Sequence, residues 1–204
     1  MFDNECGGLS RGVELSIISK PPPEHCVYYY SKRKYPNQHK TDQVTQDILS
    51  NKHAYDTSAG ERIAEMMDRY VVKHEYLVKD VALIIPVPNY GSSTNCKAPL
   101  IANLLAEKIR KRSGKNIHSY PDVLKRSNKT WQRRRGPTER RLSAETDYQI
   151  SDYIKNNNNL LKDNRLLLVD DIITTGYTAA FCQDLLYDNG ASSVAILCAA
   201  ETLQ

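Results

Sequence analysis

Three short, uninterrupted apolar stretches limit the folds that this chain can adopt. They occupy residues 81–87, 166–169 and 194–200. Strands that are apolar on both faces are typical of parallel sheets covered by helices on both sides. The pattern therefore predicts an α/β fold, and each stretch is far too short to cross a bilayer.

The region 165–201 predicts one complete βαβ unit. Its first strand lies at residues 166–169 and its second at residues 193–199. A predicted helix with one apolar face joins them, and the pair Asn189-Gly190 follows as its stop signal. Two parallel strands joined through a helix form a βαβ crossover.

Two acids and a turn rich in hydroxyl groups follow the first strand of this unit. The acids are Asp170 and Asp171, and the turn with the helix start comprises Ile173, Thr174, Thr175, Gly176, Tyr177 and Thr178. Ligands of open parallel sheets bind beyond the carboxyl ends of the strands. A glycine turn before a helix directs N–H groups at an anion, so we predict a bound phosphate here. The acids would repel that phosphate and must face a neutral polyol or a cation. Ribose hydroxyls are the expected polyol. Helix capping alone is the simpler alternative.

The stretch 167–178, LLVDDIITTGYT, resembles the phosphoribosyl-pyrophosphate (PRPP) signature of type I phosphoribosyltransferases. Within that family the chain is most similar to the ComF-like branch, through Ile85-Pro86-Val87-Pro88 and the basic stretch 125–132 with Arg140 or Arg141. The resemblance implies a type I phosphoribosyltransferase fold, with a mostly parallel central sheet flanked by helices and a small N-terminal hood-like elaboration. The chain departs from the ComF-like pattern after Pro88, and Cys6 with Cys26 does not supply that branch's N-terminal zinc cluster.

The resemblance also implies an activity and a set of site residues. The activity is Mg²⁺-dependent transfer of ribose 5-phosphate from PRPP to a nitrogen acceptor, such as a nucleobase, with release of pyrophosphate. Mg²⁺ would be carried by PRPP near Asp170, without a direct protein ligand. The catalytic candidates are Asp170, Asp171, Arg126 and Lys129, and the PRPP-binding candidates are Pro88, Asn89, Tyr90 and residues 173–178.

The N-terminal part of the chain is the expected acceptor hood. We predict strands and the hood within residues 1–40 and a phosphoribosyltransferase domain at 41–204, together forming one globular unit. Asp3 and Glu5 leave no basic region at the N-terminus, so we expect a cytoplasmic protein without a signal peptide or membrane partner. A homodimer is compatible with these expectations.

The net charge of +4 conceals a basic segment, residues 107–141, which holds thirteen basic residues against three acids. A flap that closes over pyrophosphate, a single-stranded nucleic-acid patch around Trp131, and a solvated loop each explain such a segment. The departures after Pro88 and the lack of an obvious acceptor pocket leave an alternative function, a non-catalytic PRPP-binding or ComF-like accessory protein that acts with nucleic acid.

Apolar spacing predicts the remaining elements. We expect strands at residues 26–31 and 122–125, helices at 42–49, 60–72 and 98–109, and partly helical structure at 142–160. Ser113-Gly114 is the expected end of the third helix.

Overall fold

The computed structural model describes residues 25–30, 43–53, 56–88, 97–127, 147–156, 159–173 and 176–202. In chain order their elements are β1 (His25–Tyr30), α1 (Gln43–His53), α2 (Thr57–Lys73), a 3-10 turn (Glu75–Val78), β2 (Val81–Pro86), α3 (Lys97–Ser113), β3 (His118–Ser119), β4 (Leu124–Arg126), β5 (Tyr148–Ile150), α4 (Asp152–Asn156), β6 (Arg165–Ile173), α5 (Tyr177–Asp188) and β7 (Ser193–Thr202).

Five parallel strands form the central sheet, in the order β1–β7–β6–β2–β3. From β2 the chain crosses to β3, at one edge of the sheet. From β6 it crosses to β7, toward the other edge. The direction in which the chain winds across the sheet therefore reverses between β2 and β6. Helix α3 packs on one face of the sheet and α5 on the opposite face. Crossovers that run in opposite directions along a parallel sheet produce this arrangement. The predicted α/β fold with a parallel, helix-flanked sheet is confirmed.

The central strand β6 divides the core because its alternate residues face opposite sides. Leu166 and Leu168 pack with apolar residues of α5, whereas Leu167 and Val169 pack with those of α1, α2 and α3. All four side chains are completely buried. Burial on both faces explains why the sequence shows an uninterrupted apolar run here.

The helices predicted at 42–49, 60–72 and 98–109 are confirmed as α1, α2 and α3. Helix α2 begins after Asp56, whose carboxylate accepts hydrogen bonds from the backbone N–H groups of Ser58 and Ala59 at 3.0 and 3.3 Å. Helix α3 ends before Gly114, which has a φ of +66° and provides the expected left-handed cap. Where the chain is described, none of the helices combines the length and apolar character needed to cross a bilayer.

The predicted strand near residues 26–31 is confirmed as β1, which pairs in parallel with β7. The central sheet thus includes a strand from the N-terminal part of the chain. Residues 1–24 and 31–42 lie outside the described residues, and the division of the chain at residue 40 stays a prediction.

A second, antiparallel sheet consists of β4 and β5, with Leu124 opposite Ile150 and Arg126 opposite Tyr148. Within the described residues of the range 142–160, which was predicted to be partly helical, the short helix α4 is the helical part. The strand before it forms because Tyr148 and Ile150 bury their side chains against the α5 side of the core, while Gln149 between them is exposed.

Candidate functional site

The ends of β2 and β6 are joined at the point where the winding of the sheet reverses. Pro86 pairs with Val169, and the backbone N–H of Val87 donates to the carbonyl oxygen of Val169 at 2.8 Å. Continued by two residues, this register places Val87 level with Asp170 and Pro88 level with Asp171 at the carboxyl edge of the sheet. Ligands of doubly wound sheets bind in the crevice at such a reversal.

Both predicted acids lie inside strand β6. The sequence placed them after the strand, but pairing with β7 continues to Ile173, which lies opposite Glu201. Asp170 and Asp171 are only 8% and 9% exposed. Each carboxylate accepts a hydrogen bond at 2.8 Å from the backbone N–H of the following residue, which fixes it along the strand.

The side chain of Ile173 is 4% exposed and belongs to the apolar core on the α5 side. Only its backbone is therefore available to a ligand. The sequence placed Ile173 in the turn, and the difference arises because β6 extends further than its apolar run 166–169.

Helix α5 begins immediately beyond β6, at the same edge of the sheet. Its N-cap is Gly176, which has a φ of +76° and whose carbonyl oxygen accepts the N–H of Ala180 at 2.9 Å. The first N–H groups of a helix have no partner within the helix and can bind an anion. The N-cap position itself is thus occupied by glycine and not by an Asp or Thr side chain.

The structure brings most of the described candidates to one edge of the sheet. They are Pro88 after β2, Asp170 and Asp171 in β6, and Gly176, Tyr177 and Thr178 at the start of α5. Five further candidates, Asn89, Tyr90, Lys129, Thr174 and Thr175, lie outside the described residues.

Arg126 reaches this edge through Tyr148, a residue that the sequence reasoning did not single out. The guanidinium carbon of Arg126 lies 5.5 Å from the centroid of the Tyr148 ring. Tyr148 packs in the same apolar cluster as Ala179 and Cys182 of α5. The alternation of apolar, polar and apolar residues at 148–150 was the signal that could have identified this buried tyrosine.

The negative charge of Asp170 acts on two buried neighbours. Burial is the main cause that raises the pKa of the Tyr148 hydroxyl, and Asp170 adds to the effect while Arg126 opposes it. Burial and Asp170 likewise raise the pKa of the Cys182 thiol. Both groups therefore stay protonated at neutral pH.

Asn51 was also missed, because its role depends on packing between α1 and α3. Its completely buried side chain accepts, through Oδ1, the backbone N–H of Lys97 at 3.2 Å. Lys97 has a φ of +57°, a conformation that is costly for a residue with a side chain. This contact fixes the residue that directly follows the segment 89–96.

Seven basic residues of the segment 107–141 fall within its described part. Five of them form ion pairs, namely Lys108 with Glu65, Lys111 with Glu107, Arg112 with Asp68, Lys125 with Asp152 and Arg126 with Asp147. Four of the acids come from outside the segment. The charge counted along the sequence therefore overstates the positive charge that residues 107–127 present in the fold.

No group of three or more His, Cys, Asp or Glu side chains that could hold a metal occurs in the part of the chain that the structure describes. Mg²⁺ is usually bound through one or two carboxylates together with substrate phosphates. The pair Asp170 and Asp171 fits that kind of binding.

Comparisons with protein-family models and with curated proteins give no match to this chain.

Proposed function

We propose that this chain is a type I phosphoribosyltransferase that binds PRPP and transfers ribose 5-phosphate to a nitrogen acceptor, releasing pyrophosphate. One observation carries the proposal. The stretch 167–178 runs through the end of the central strand β6 at the reversal of winding, which puts two carboxylates and a glycine turn at the edge where such sheets bind ligands.

The carboxylates of Asp170 and Asp171 suit the sugar. An ionised carboxylate accepts several hydrogen bonds, so one that is held by a backbone N–H can still receive ribose hydroxyls. Their negative charge also favours a sugar ring that becomes positively charged as the bond to pyrophosphate breaks. In this role the acids position the ribose and stabilise the transition state electrostatically.

The start of α5 suits the 5-phosphate. The N–H groups of Tyr177 and Thr178 lie in the first turn of this helix, where the helix dipole favours an anion. The left-handed conformation of Gly176 allows the chain to turn from β6 directly into the helix. The Thr178 hydroxyl adds a further hydrogen-bonding group, and Thr174 and Thr175 are proposed to complete the turn.

The end of β2 suits the pyrophosphate. Pro88 lies level with Asp171, and we propose that Asn89 and Tyr90 continue from it to the leaving group. Arg126, together with Lys129, would stabilise the negative charge that grows on pyrophosphate. Mg²⁺ bound with PRPP would neutralise part of that charge.

The position of β1 supports an acceptor pocket formed by the N-terminal part of the chain. Because β1 runs parallel to β7, its carboxyl end at Tyr30 lies at the same edge of the sheet as the acids. The end of β1 therefore lies on the side of the sheet where the acceptor would bind. A panel of nitrogen compounds would identify the acceptor.

Calorimetry with PRPP and Mg²⁺ tests the proposal directly. We expect saturable binding of PRPP to the wild-type chain, and its absence would contradict the proposal. Release of pyrophosphate with any member of a nucleobase panel then identifies a transferase. Binding without release throughout the panel would favour the alternative of a PRPP-binding accessory protein.

A further inference from the structure

A largely buried ion pair joins the end of β4 to the residue before β5. Nη2 of Arg126 lies 3.9 Å from Oδ2 of Asp147, and the two side chains are 14% and 1% exposed. The backbone N–H and the hydroxyl of Ser127 both donate to the backbone carbonyl oxygen of Asp147, at 2.7 and 3.2 Å. Side-chain and backbone contacts therefore hold together the two ends of the segment 128–146, which lies outside the described residues.

Stability alone does not account for a charged pair at this position. Taking two charges out of water is costly, and apolar residues of similar volume are often at least as stable there. The two partners also differ in what they can reach. Asp147 is completely buried, so it cannot contact a ligand that arrives from solvent, whereas part of the Arg126 side chain remains exposed.

The guanidinium of Arg126 is held from a second side by an aromatic ring. Its carbon lies 5.5 Å from the centroid of the Tyr148 ring. The apolar cluster that contains Tyr148 also contains Val87, at the end of β2, and Ala179, in the first turn of α5. A guanidinium has five N–H donors, so one that is fixed by a ring and a carboxylate can still donate to an anion.

We propose that Asp147 is a positioning residue that holds the guanidinium of Arg126 in the orientation in which it binds the pyrophosphate group of PRPP. The inference rests on the proposed function and extends it to a residue that does not contact the ligand. Without a carboxylate beside it, a largely buried guanidinium would move toward water. An arginine that is oriented before the ligand arrives loses less conformational freedom on binding.

The substitution Asp147→Asn removes the charge and keeps the size of the side chain. Ser127 donates to the backbone carbonyl, so its two hydrogen bonds should remain. Loss of a negative charge would by itself strengthen binding of an anion, whereas loss of positioning weakens it. We expect weaker binding of PRPP with Mg²⁺ by calorimetry on the full chain. The limit is the roughly 10- to 150-fold that loss of a charge-assisted hydrogen bond from Arg126 would cost. Ribose 5-phosphate, which lacks the pyrophosphate, should bind both chains alike.

A double-mutant cycle and a matched control separate positioning from a general loss of charge. Once Arg126→Gln has removed the guanidinium, Asp147→Asn should cost little further affinity for PRPP. Asp152→Asn is the control, because it removes an exposed carboxylate beside the same small sheet, where Asp152 pairs with Lys125 at 3.4 Å. This variant should bind PRPP like the wild type.

A measurement on the wild-type chain covers the case in which Asp147→Asn does not fold. NMR relaxation at Nε of Arg126 should show an ordered side chain before any ligand is added, and its signal should shift with PRPP but not with ribose 5-phosphate. The inference is overturned if the Arg126 side chain is disordered in the free chain or does not respond to PRPP.

The inference is equally overturned if Asp147→Asn binds PRPP as tightly as the wild type or more tightly, if both ligands weaken together, or if the loss persists in the Arg126→Gln background. In each of these cases the wild type still binds PRPP, and the proposed function stands. Failure of the wild type to bind PRPP would overturn the proposed function as well.

Discussion

The backbone N–H of Val87 lies 2.8 Å from the carbonyl oxygen of Val169, which joins β2 to β6 one residue before Asp170. This hydrogen bond continues the parallel pairing beyond Pro86. It fixes the chain that leads to Pro88 against the strand that carries both acids. In the proposed complex, the pyrophosphate and the ribose would therefore bind next to each other, where this hydrogen bond holds two buried strands together.

The substitution Asp171→Asn tests the proposed sugar contact. Asparagine retains an oxygen that can accept the N–H of Ile172, so the strand should keep its conformation. Loss of one charge-assisted hydrogen bond costs about 1.5–3 kcal/mol, which predicts PRPP binding roughly 10- to 150-fold weaker by calorimetry. Asp188→Asn, at the far end of α5, is the control and should bind PRPP like the wild type. Equal affinity of Asp171→Asn and the wild type would remove Asp171 from the site.

Gly176→Ala tests the turn into α5. At a φ of +76° an alanine costs about 1–2 kcal/mol of stability, and the strain falls on the proposed phosphate site. Gly190→Ala is the control, because Gly190 has a φ of +98° beyond the other end of the same helix. Chemical denaturation should show both variants destabilised, whereas calorimetry should show weaker PRPP binding only for Gly176→Ala. A comparable loss of affinity in both variants would argue against a phosphate at this turn.

Asn51→Ala tests whether the start of α3 supports the pyrophosphate end of the site. The substitution removes the acceptor for the N–H of Lys97, at a cost of about 1 kcal/mol of stability. We expect binding of magnesium pyrophosphate to weaken because the segment 89–96 loses an anchor at its end. Asn164→Ala is the control, since Asn164 donates to the carbonyl oxygen of Leu160 on the opposite side of the sheet. Unchanged pyrophosphate affinity in Asn51→Ala would limit Asn51 to a structural role.

The ion pair between Glu65 of α2 and Lys108 of α3 predicts a pH dependence of stability. A hydrogen bond from Lys108 is the main cause that holds the pKa of Glu65 below its ordinary value of 4.5. A lowered pKa stabilises the fold above the unfolded-state value, and this contribution disappears as the pH falls through the folded-state value.

Glu65→Gln should therefore be less stable than the wild type at neutral pH, and the gap should close in acid. Because the carboxylate is partly exposed, we expect a gap of about 0.2–1 kcal/mol in urea denaturation. Glu107→Gln is the comparison. It removes an ion pair of 3.9 Å between two exposed side chains, so its loss of stability at neutral pH should be smaller. A gap for Glu65→Gln that persists below about pH 3 would show that the charge is not its cause.

The ion pairs of α3 also predict how this chain responds to nucleic acid. Lys108 and Arg112 are paired with acids of α2, so neutralising both with glutamine should leave the affinity for single-stranded DNA and its dependence on salt unchanged. Removal of one phosphate interaction with a single strand would reduce the slope of log affinity against log salt by about 0.7. A reduced slope in a filter-binding titration would place a nucleic-acid interface on α3.

The unit from β6 to β7 could be predicted because its signals are local. An apolar run, a glycine turn, a helix stop at Asn189-Gly190 and a second apolar run follow one another along the chain. The end of β6 could not be predicted in this way. Asp170 and Asp171 extend the strand because β7 lies beside them, and no local preference of two adjacent acids indicates a buried strand.

Residues whose roles depend on distant partners were also beyond prediction. Tyr148 begins a strand only because Arg126 pairs with it across the intervening chain, and Asn51 reaches Lys97 through the packing of α1 on α3. Two of the acids that neutralise the basic helix lie on α2, so a charge count along the segment could not include them. Local sequence patterns thus indicated which residues could bind a ligand. The fold determines which other residues hold them in place.

The pairing of β1 with β7 has a consequence for the order of folding. His25 lies opposite Leu197, so the first and last of the described strands are neighbours in the sheet. A growing chain cannot form this contact until residues 193–202 have been synthesised. Until then β1 lacks the strand with which it pairs. Closing the long loop between β1 and β7 also slows folding. We therefore expect the sheet to assemble outward from β2 and β6, with the N-terminal strand added as the last step.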